Sequence, residues 1–120
     1  MSASMSTKVL GSKGEQLGAE FLRKRGYEII ARNFRYERGE IDIIAQKDKL
    51  ISFCEVKTRK SDSYGRGEDA VDSRKQNQIR KVAEGYIAGK ELEGYEFRFD
   101  VVVVEIRRNS TKIRIIEDAF

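Results

Sequence analysis

Two short apolar runs, Ile41–Ala45 and Leu50–Val56, lie on either side of a polar turn at Lys47-Asp48-Lys49. Each run is rich in isoleucine, valine or phenylalanine and too short for a core helix, so both read as strands. So few residues between them leave an antiparallel hairpin as the connection. The rest of the chain must pack on a sheet built around that hairpin.

The hairpin carries charge where a buried strand carries none. A two-residue loop at Asp48-Lys49 would pair Lys47 with Leu50 and set Asp42 opposite Glu55, whereas a register slip of one residue would send the two acids to opposite faces. Opposed residues share a face with Cβ atoms ~4.5–5.5 Å apart. Lys57, two residues beyond Glu55, falls on that face by strand alternation. Two adjacent carboxylates destabilise each other unless a positive charge offsets them, and a hard divalent cation such as Mg²⁺ or Mn²⁺ suits closely spaced carboxylates. The bland reading is a simple ion pair or charges that protect a sheet edge. An Asp followed on the next strand by Glu-x-Lys at hairpin spacing favours a site. The chain has no histidine, so Ser-His-Asp and Cys-His catalysis and histidine-ligated zinc are excluded.

On the N-terminal side, Ser12 to Arg25 reads as a helix with Leu17, Phe21 and Leu22 on one face. Ser12-x-x-Glu15 forms a capping box, and Gly26 is the stop. Tyr27–Ala31, continuing through Asn33 to Tyr36, is the first strand. Thr58–Asp69, with Gly65 and Gly67, reads as a mobile loop. Ser73 and Gln76 form a second capping box, ahead of Ile79, Val82, Ala83, Tyr86 and Ile87 at helical spacing. Phe97–Ile106 is a strand buried on both faces at Val101–Val104, and Lys112–Ile116 a short last one. The order α-β-β-β-α-β-β predicts an α/β fold with a mixed sheet. At 120 residues the chain is expected to form one domain over 11–120, with 1–10 as a flexible lead. No apolar run approaches the ~20 residues that span a bilayer, the start lacks a signal-peptide core, and Cys54 is the single cysteine. The expectation is a cytoplasmic protein without a membrane partner.

Net charge is +4, and its position is informative. Lys57 to Lys81 holds eight basic residues against four acidic ones, and the remainder is balanced. A localised excess of this kind suits a polyanion such as nucleic acid.

Gly39-Glu-Ile-Asp42, Glu55-Val-Lys57 and the preceding helix together resemble the PD-(D/E)XK nuclease superfamily. More closely the chain resembles the small bacterial YraN-like family, which is similar to archaeal Holliday junction resolvases. The likeness runs from Gly14-Glu15 to Arg98-Phe-Asp100. It implies a restriction-endonuclease-like core, with a mixed central sheet flanked by helices. It implies Asp42 and Glu55 as ligands of Mg²⁺ or Mn²⁺, Lys57 as the catalytic lysine, and Glu15, with Glu20 as its alternative, as the helix carboxylate. The sequence departs from the pattern at Cys54, where valine is more usual, and at Gly-Glu-Ile, where the superfamily often has proline. The expected activity is that of a metal-dependent endonuclease hydrolysing phosphodiester bonds in DNA, with branched DNA among its substrates. The Val56 carbonyl, between the two catalytic side chains, would complete the coordination. Arg59, Lys60, Arg74 and Lys75, beside the acids, would contact phosphates and position the backbone. Resemblance to resolvases implies a homodimer. Two other readings stay open: a non-catalytic nucleic-acid-binding module using the same basic segment, and a protein-interaction domain whose strands pair between chains.

Overall fold

The computed structural model describes residues 6–60 and 71–120. Helix α1 (Thr7–Lys24) is capped by Ser6, whose hydroxyl accepts from the Val9 N–H at 3.1 Å. The helix therefore starts ahead of the expected capping box at Ser12, and residues 7–10, expected in the lead segment, form its first turn; residues 1–5 of that segment lie outside the described residues. Ser6 has the extended backbone that an N-cap requires, φ −65° and ψ 160°, so Ser12 is enclosed in the helix and Glu15 is released from capping. The chain leaves the helix through Gly26 at φ +94°, a conformation that favours glycine.

Strands β1 (Glu28–Tyr36), β2 (Gly39–Lys47), β3 (Leu50–Lys60), β4 (Glu96–Ile106) and β5 (Thr111–Ile116) form one sheet in that order. Neighbours are antiparallel except β3 and β4, which run parallel. Parallel strands need a crossover, and helix α2 (Ser73–Ile87) supplies it. The order α-β-β-β-α-β-β and the mixed sheet match the sequence expectation. Thr58–Lys60, expected in a loop, instead extend β3 by pairing with Val104–Ile106. The rest of that expected loop falls outside the described residues.

The N-cap of α2 is Asp72 and not Ser73. Its carboxylate accepts from the Lys75 N–H at 2.9 Å, while Gln76 reaches back to the Val71 carbonyl at 2.7 Å. A charged acceptor makes the stronger cap, and with Asp72 in that place Lys75 and not Gln76 stands at the third helical position, so the expected capping box does not form.

Each sheet face carries one helix. Ala19 and Leu22 of α1 pack with Ile43, Ala45, Cys54, Val102 and Val104. Ile79, Val82, Ala83 and Tyr86 of α2 pack with Ile44, Phe53, Val101 and Val103 on the other side. Val101–Val104 are buried on both faces, as their unbroken apolar run predicts.

Gly14 sets how closely α1 approaches the sheet. A Cβ there would lie 1.8 Å from Thr58 Oγ1 and 2.7 Å from Thr58 Cβ. Only a glycine lets the helix sit on the end of β3, and Glu15 is the next residue. A mid-helix glycine costs about 1 kcal/mol relative to alanine, and here it positions a carboxylate.

Candidate active site

The hairpin forms in the expected register. Lys47 pairs with Leu50, Asp48 takes φ +53° in the loop, and pairing continues to Ile43 opposite Cys54. There the ladder stops. Asp42 and Glu55 are not backbone partners, because the Asp42 carboxylate takes the place of a strand carbonyl and accepts from the Val56 N–H at 2.8 Å. Side chains on β2 change sides at this point: Ile41 and Ile44 join the α2-side core, Ile43 the α1-side core. This irregularity turns Asp42 toward Glu55.

The two carboxyls lie close enough to hydrogen-bond to each other. Burial, and then the charge of Glu55, push the Asp42 carboxyl up to about 7, against the opposing pull of the Val56 N–H. Glu55 is 13% exposed, and its Oε1 is buried with no hydrogen-bond partner among the described residues. Its Oε2 stands 3.9 Å from the Lys75 ammonium. Lys75, expected to contact phosphate, thus stands beside the carboxyl pair as a counter-charge.

Glu15 comes to the same neighbourhood from α1. Its carboxylate accepts from Asn33 Nδ2 at 3.0 and 3.1 Å and lies 3.6 Å from the Arg32 guanidinium. Burial raises its pKa, the Asn33 hydrogen bond opposes the rise, and the charge of Asp42 adds to it. Glu20 instead is exposed and receives a hydrogen bond from Gln16, one turn earlier on α1. Of the two helix acids, Glu15 is the one beside Asp42.

Sequence reasoning did not single out Asn33, Arg32 or Glu40. Asn33 donates to both Glu15 oxygens and to Glu40 Oε2 at 2.9 Å, and its backbone sits at φ +52° in the middle of β1. The available signal was an asparagine inside an apolar strand run. Asparagine is unfavourable in strands but tolerates the left-handed region.

Lys57 follows Glu55 on β3 and, by alternation, faces the α2 side with it. It forms no ion pair with a described carboxylate. Arg59 is half-buried, Lys60 is exposed at the end of β3, and Arg74 is exposed on α2. Arg80, in the same basic segment, lies over the rings of Phe99 and Phe120 at 5.6 and 5.3 Å. The basic excess is therefore spread over several tasks.

Among the described residues no three acidic side chains close into a ready-made cation cage. The donor set that exists is Asp42, Glu55 and the backbone of Val56. A residue in a strand presents its N–H and C=O to the same side, so the Val56 carbonyl opens on the gap where β2 leaves the ladder. A carboxyl forced to keep its proton beside a second carboxyl with an unpartnered oxygen is short of positive charge, and a divalent cation fits that deficit.

Cys54 is excluded as a nucleophile. It is buried, its Sγ lies 3.0 Å from Ser52 Oγ, and burial pushes its thiol up to about 12. Ser52 and Asp100 bond to each other in the interior, where Asp100 also accepts from Arg98 Nε at 2.8 Å and the Asp118 N–H at 2.9 Å. That network is fully partnered and structural.

The model of the family described as "Uncharacterised protein family UPF0102" matches residues 14–104. A UPF0102 protein of Caldicellulosiruptor bescii is 50% identical over 119 residues, covering 97% of this chain and all of its own. One from Alkaliphilus metalliredigens is 48% identical, covering 95% and 99%. Among solved structures, SfsA of Pyrococcus furiosus in complex with Ca²⁺ aligns with a TM-score of 0.40 at 20% identity. The alignment covers 98% of this chain and 64% of the SfsA chain. No helix among the described residues is long and apolar enough to cross a membrane.

Proposed function

The chain belongs to the UPF0102 family, part of the restriction-endonuclease-like superfamily, and on that premise we propose that it is a metal-dependent nuclease hydrolysing phosphodiester bonds in DNA. One observation carries the reading. Asp42 and Glu55 are held together, largely out of water, with the Asp42 carboxyl pushed up to about 7 and Glu55 Oε1 unpartnered among the described residues. Two carboxyls held side by side cost stability once both are ionised, and a bound cation would offset that cost.

Asp42, Glu55 and the Val56 carbonyl would hold Mg²⁺ or Mn²⁺. Such an ion, when bound, polarises a phosphoryl oxygen and lowers the pKa of a coordinated water. The protein's own groups do the rest. The Val56 N–H fixes the Asp42 carboxylate through Oδ2 and leaves its other oxygen for the site. Lys57, free of described acidic partners, is available to the negative charge that builds on the phosphoryl oxygens. Glu15, oriented by Asn33 and Arg32, can accept a hydrogen bond from a water on the α1 side of the pair. Lys60 and Arg74 supply exposed positive charge beside it.

The test is a cleavage screen of branched, duplex and single-stranded DNA with Mg²⁺, with Mn²⁺ and with chelator. Metal-dependent products from wild type but not from Glu55→Gln support the reading. Metal-independent cleavage overturns the metal assignment, and binding with no cleavage of any substrate overturns the reading in favour of a binding module on the same fold.

A further inference from the structure

A cleft of about 840 Å³ lies beyond the carboxyl pair, between the β1–β2 turn and one stripe of α2. Arg74, Gln78, Lys81 and Gly85 recur along α2 at helical spacing and face Tyr36 and Arg38 of the turn. Two glycines lock the turn onto the helix. A Cβ at Gly39 would lie 2.5 Å from Val82 Cγ2. One at Gly85 would lie 2.4, 2.5 and 2.6 Å from Tyr36 Cγ, Cδ1 and Cδ2. Near-equal distances to those three atoms mean that the ring lies with one face flat on the helix backbone. Gln78 Nε2 also donates to the Arg38 carbonyl at 3.4 Å.

Tyr36 nevertheless remains 42% exposed. A ring clamped on one face and open on the other is preorganised for stacking, and it loses little freedom when a planar group covers it. Charged residues of both signs line the cleft, with Arg38, Arg74 and Lys81 against Glu37 and Glu84. Arg74 stands at the N-terminal end of α2, next to Lys75 and so to Glu55, while Glu84 stands near Tyr36. From Arg74 to Gly85 the helix rises roughly 16 Å. Arg74 at one end, Arg38 and Lys81 nearer the aromatic platform at the other, and the amides of Asn77 and Gln78 between them fit a nucleotide chain better than an apolar ligand.

We propose that this cleft binds a single nucleic-acid strand, with one unpaired base stacked on Tyr36 and the adjoining phosphates on Arg38, Arg74 and Lys81. The inference rests on the nuclease reading and narrows its substrate to DNA with an unpaired strand beside the cleavage point. Inside a duplex both faces of a base are already stacked, and it has none to offer Tyr36.

Fluorescence anisotropy tests this with a labelled oligonucleotide of about ten nucleotides, a length within the usual range for single-strand sites, and with its duplex. Chelator is present throughout, so that binding is read apart from cleavage. Tyr36→Ala should weaken single-strand binding roughly 5- to 100-fold, the usual cost of losing one stacked base, with duplex binding unchanged. Tyr36→Phe should bind the single strand as wild type does. Arg74→Gln with Lys81→Gln should lower the single-strand salt slope by about 1.4, as two lost phosphate contacts require. Tyr36→Ala that binds the single strand like wild type, or loses equally on duplex, overturns the proposal. If Tyr36→Ala fails to fold, an unchanged salt slope in the Arg74/Lys81 variant overturns it alone. Wild type that cleaves duplex yet binds no single strand refutes this inference and leaves the nuclease reading standing. Single-strand binding through Tyr36 without metal-dependent cleavage does the reverse.

Discussion

Replacing Asp42 by asparagine should make the metal-free protein more stable at neutral and alkaline pH. The folded chain keeps a proton on Asp42 up to about 7, whereas the ordinary value is 3.8. Between about pH 4 and about pH 7 the native state therefore binds a proton that the unfolded chain has lost. This contribution to stability is fully present below about pH 4 and is lost as pH rises to about 7. The span corresponds to roughly 4 kcal/mol and belongs to the carboxyl pair as a unit, because the two titrate together. Asp42→Asn removes the charge but keeps an oxygen that can accept from Val56 N–H, now without ionic reinforcement, at a cost of about 1 kcal/mol. The new amide can also donate to the unpartnered Glu55 Oε1. The net gain above about pH 8 is a few kcal/mol, or roughly 10 °C in Tm for a chain of 120 residues. Thermal denaturation from about pH 4 to about pH 8 with chelator, repeated with Mn²⁺, measures it. Wild type should lose its deficit when Mn²⁺ binds, by mass action, and the variant should respond far less. A variant no more stable than wild type at high pH, or equal Mn²⁺ shifts in both, would refute the reasoning.

Lys57→Ala should leave DNA binding intact while cleavage falls by orders of magnitude, because the lost interaction forms mainly in the transition state. A folded variant that cleaves at the wild-type rate rules out the lysine's assigned role. Gly14→Ala should lower Tm despite alanine's better helix propensity, since the new methyl meets Thr58 Oγ1 and Cβ and forces α1 off β3. Overpacking of this kind costs about 1–3 kcal/mol, and a Tm at or above wild type would show that the close approach is dispensable.

The regular parts of this fold were legible because their periods are. A two-residue turn between the apolar runs Ile41–Ala45 and Leu50–Val56 gave the hairpin register that continues from Lys47/Leu50 to Ile43/Cys54, and Val101–Val104 announced a strand covered on both faces. What failed was local competition between similar groups. Ser6 and Ser12 are equally good caps by residue type, as are Asp72 and Ser73, and only the backbone decides which is extended. Thr58–Lys60 carry no strand pattern of their own and join β3 because β4 continues beside them.

The candidate site was legible in its residues and hidden in its geometry, and the reason is one event. Perfect pairing would have set Asp42 and Glu55 side by side as a backbone pair, with nothing to raise one carboxyl above the other. The ladder instead ends one position early, and the Asp42 carboxylate replaces a strand carbonyl at Val56. That substitution buries Asp42, turns it toward Glu55, and exposes the Val56 carbonyl in the gap. A lost ladder bond thus becomes a set of three oxygen donors. Lys75 shows the same economy. At 3.9 Å from Glu55 and with a side chain 39% exposed, it offsets the pair's charge while remaining able to swing away. A stronger, buried ion pair would stabilise the empty site and compete with any cation for it. The long, half-exposed contact leaves the carboxyl pair short of positive charge, and that shortage is what the Mn²⁺ response of wild type against Asp42→Asn will measure.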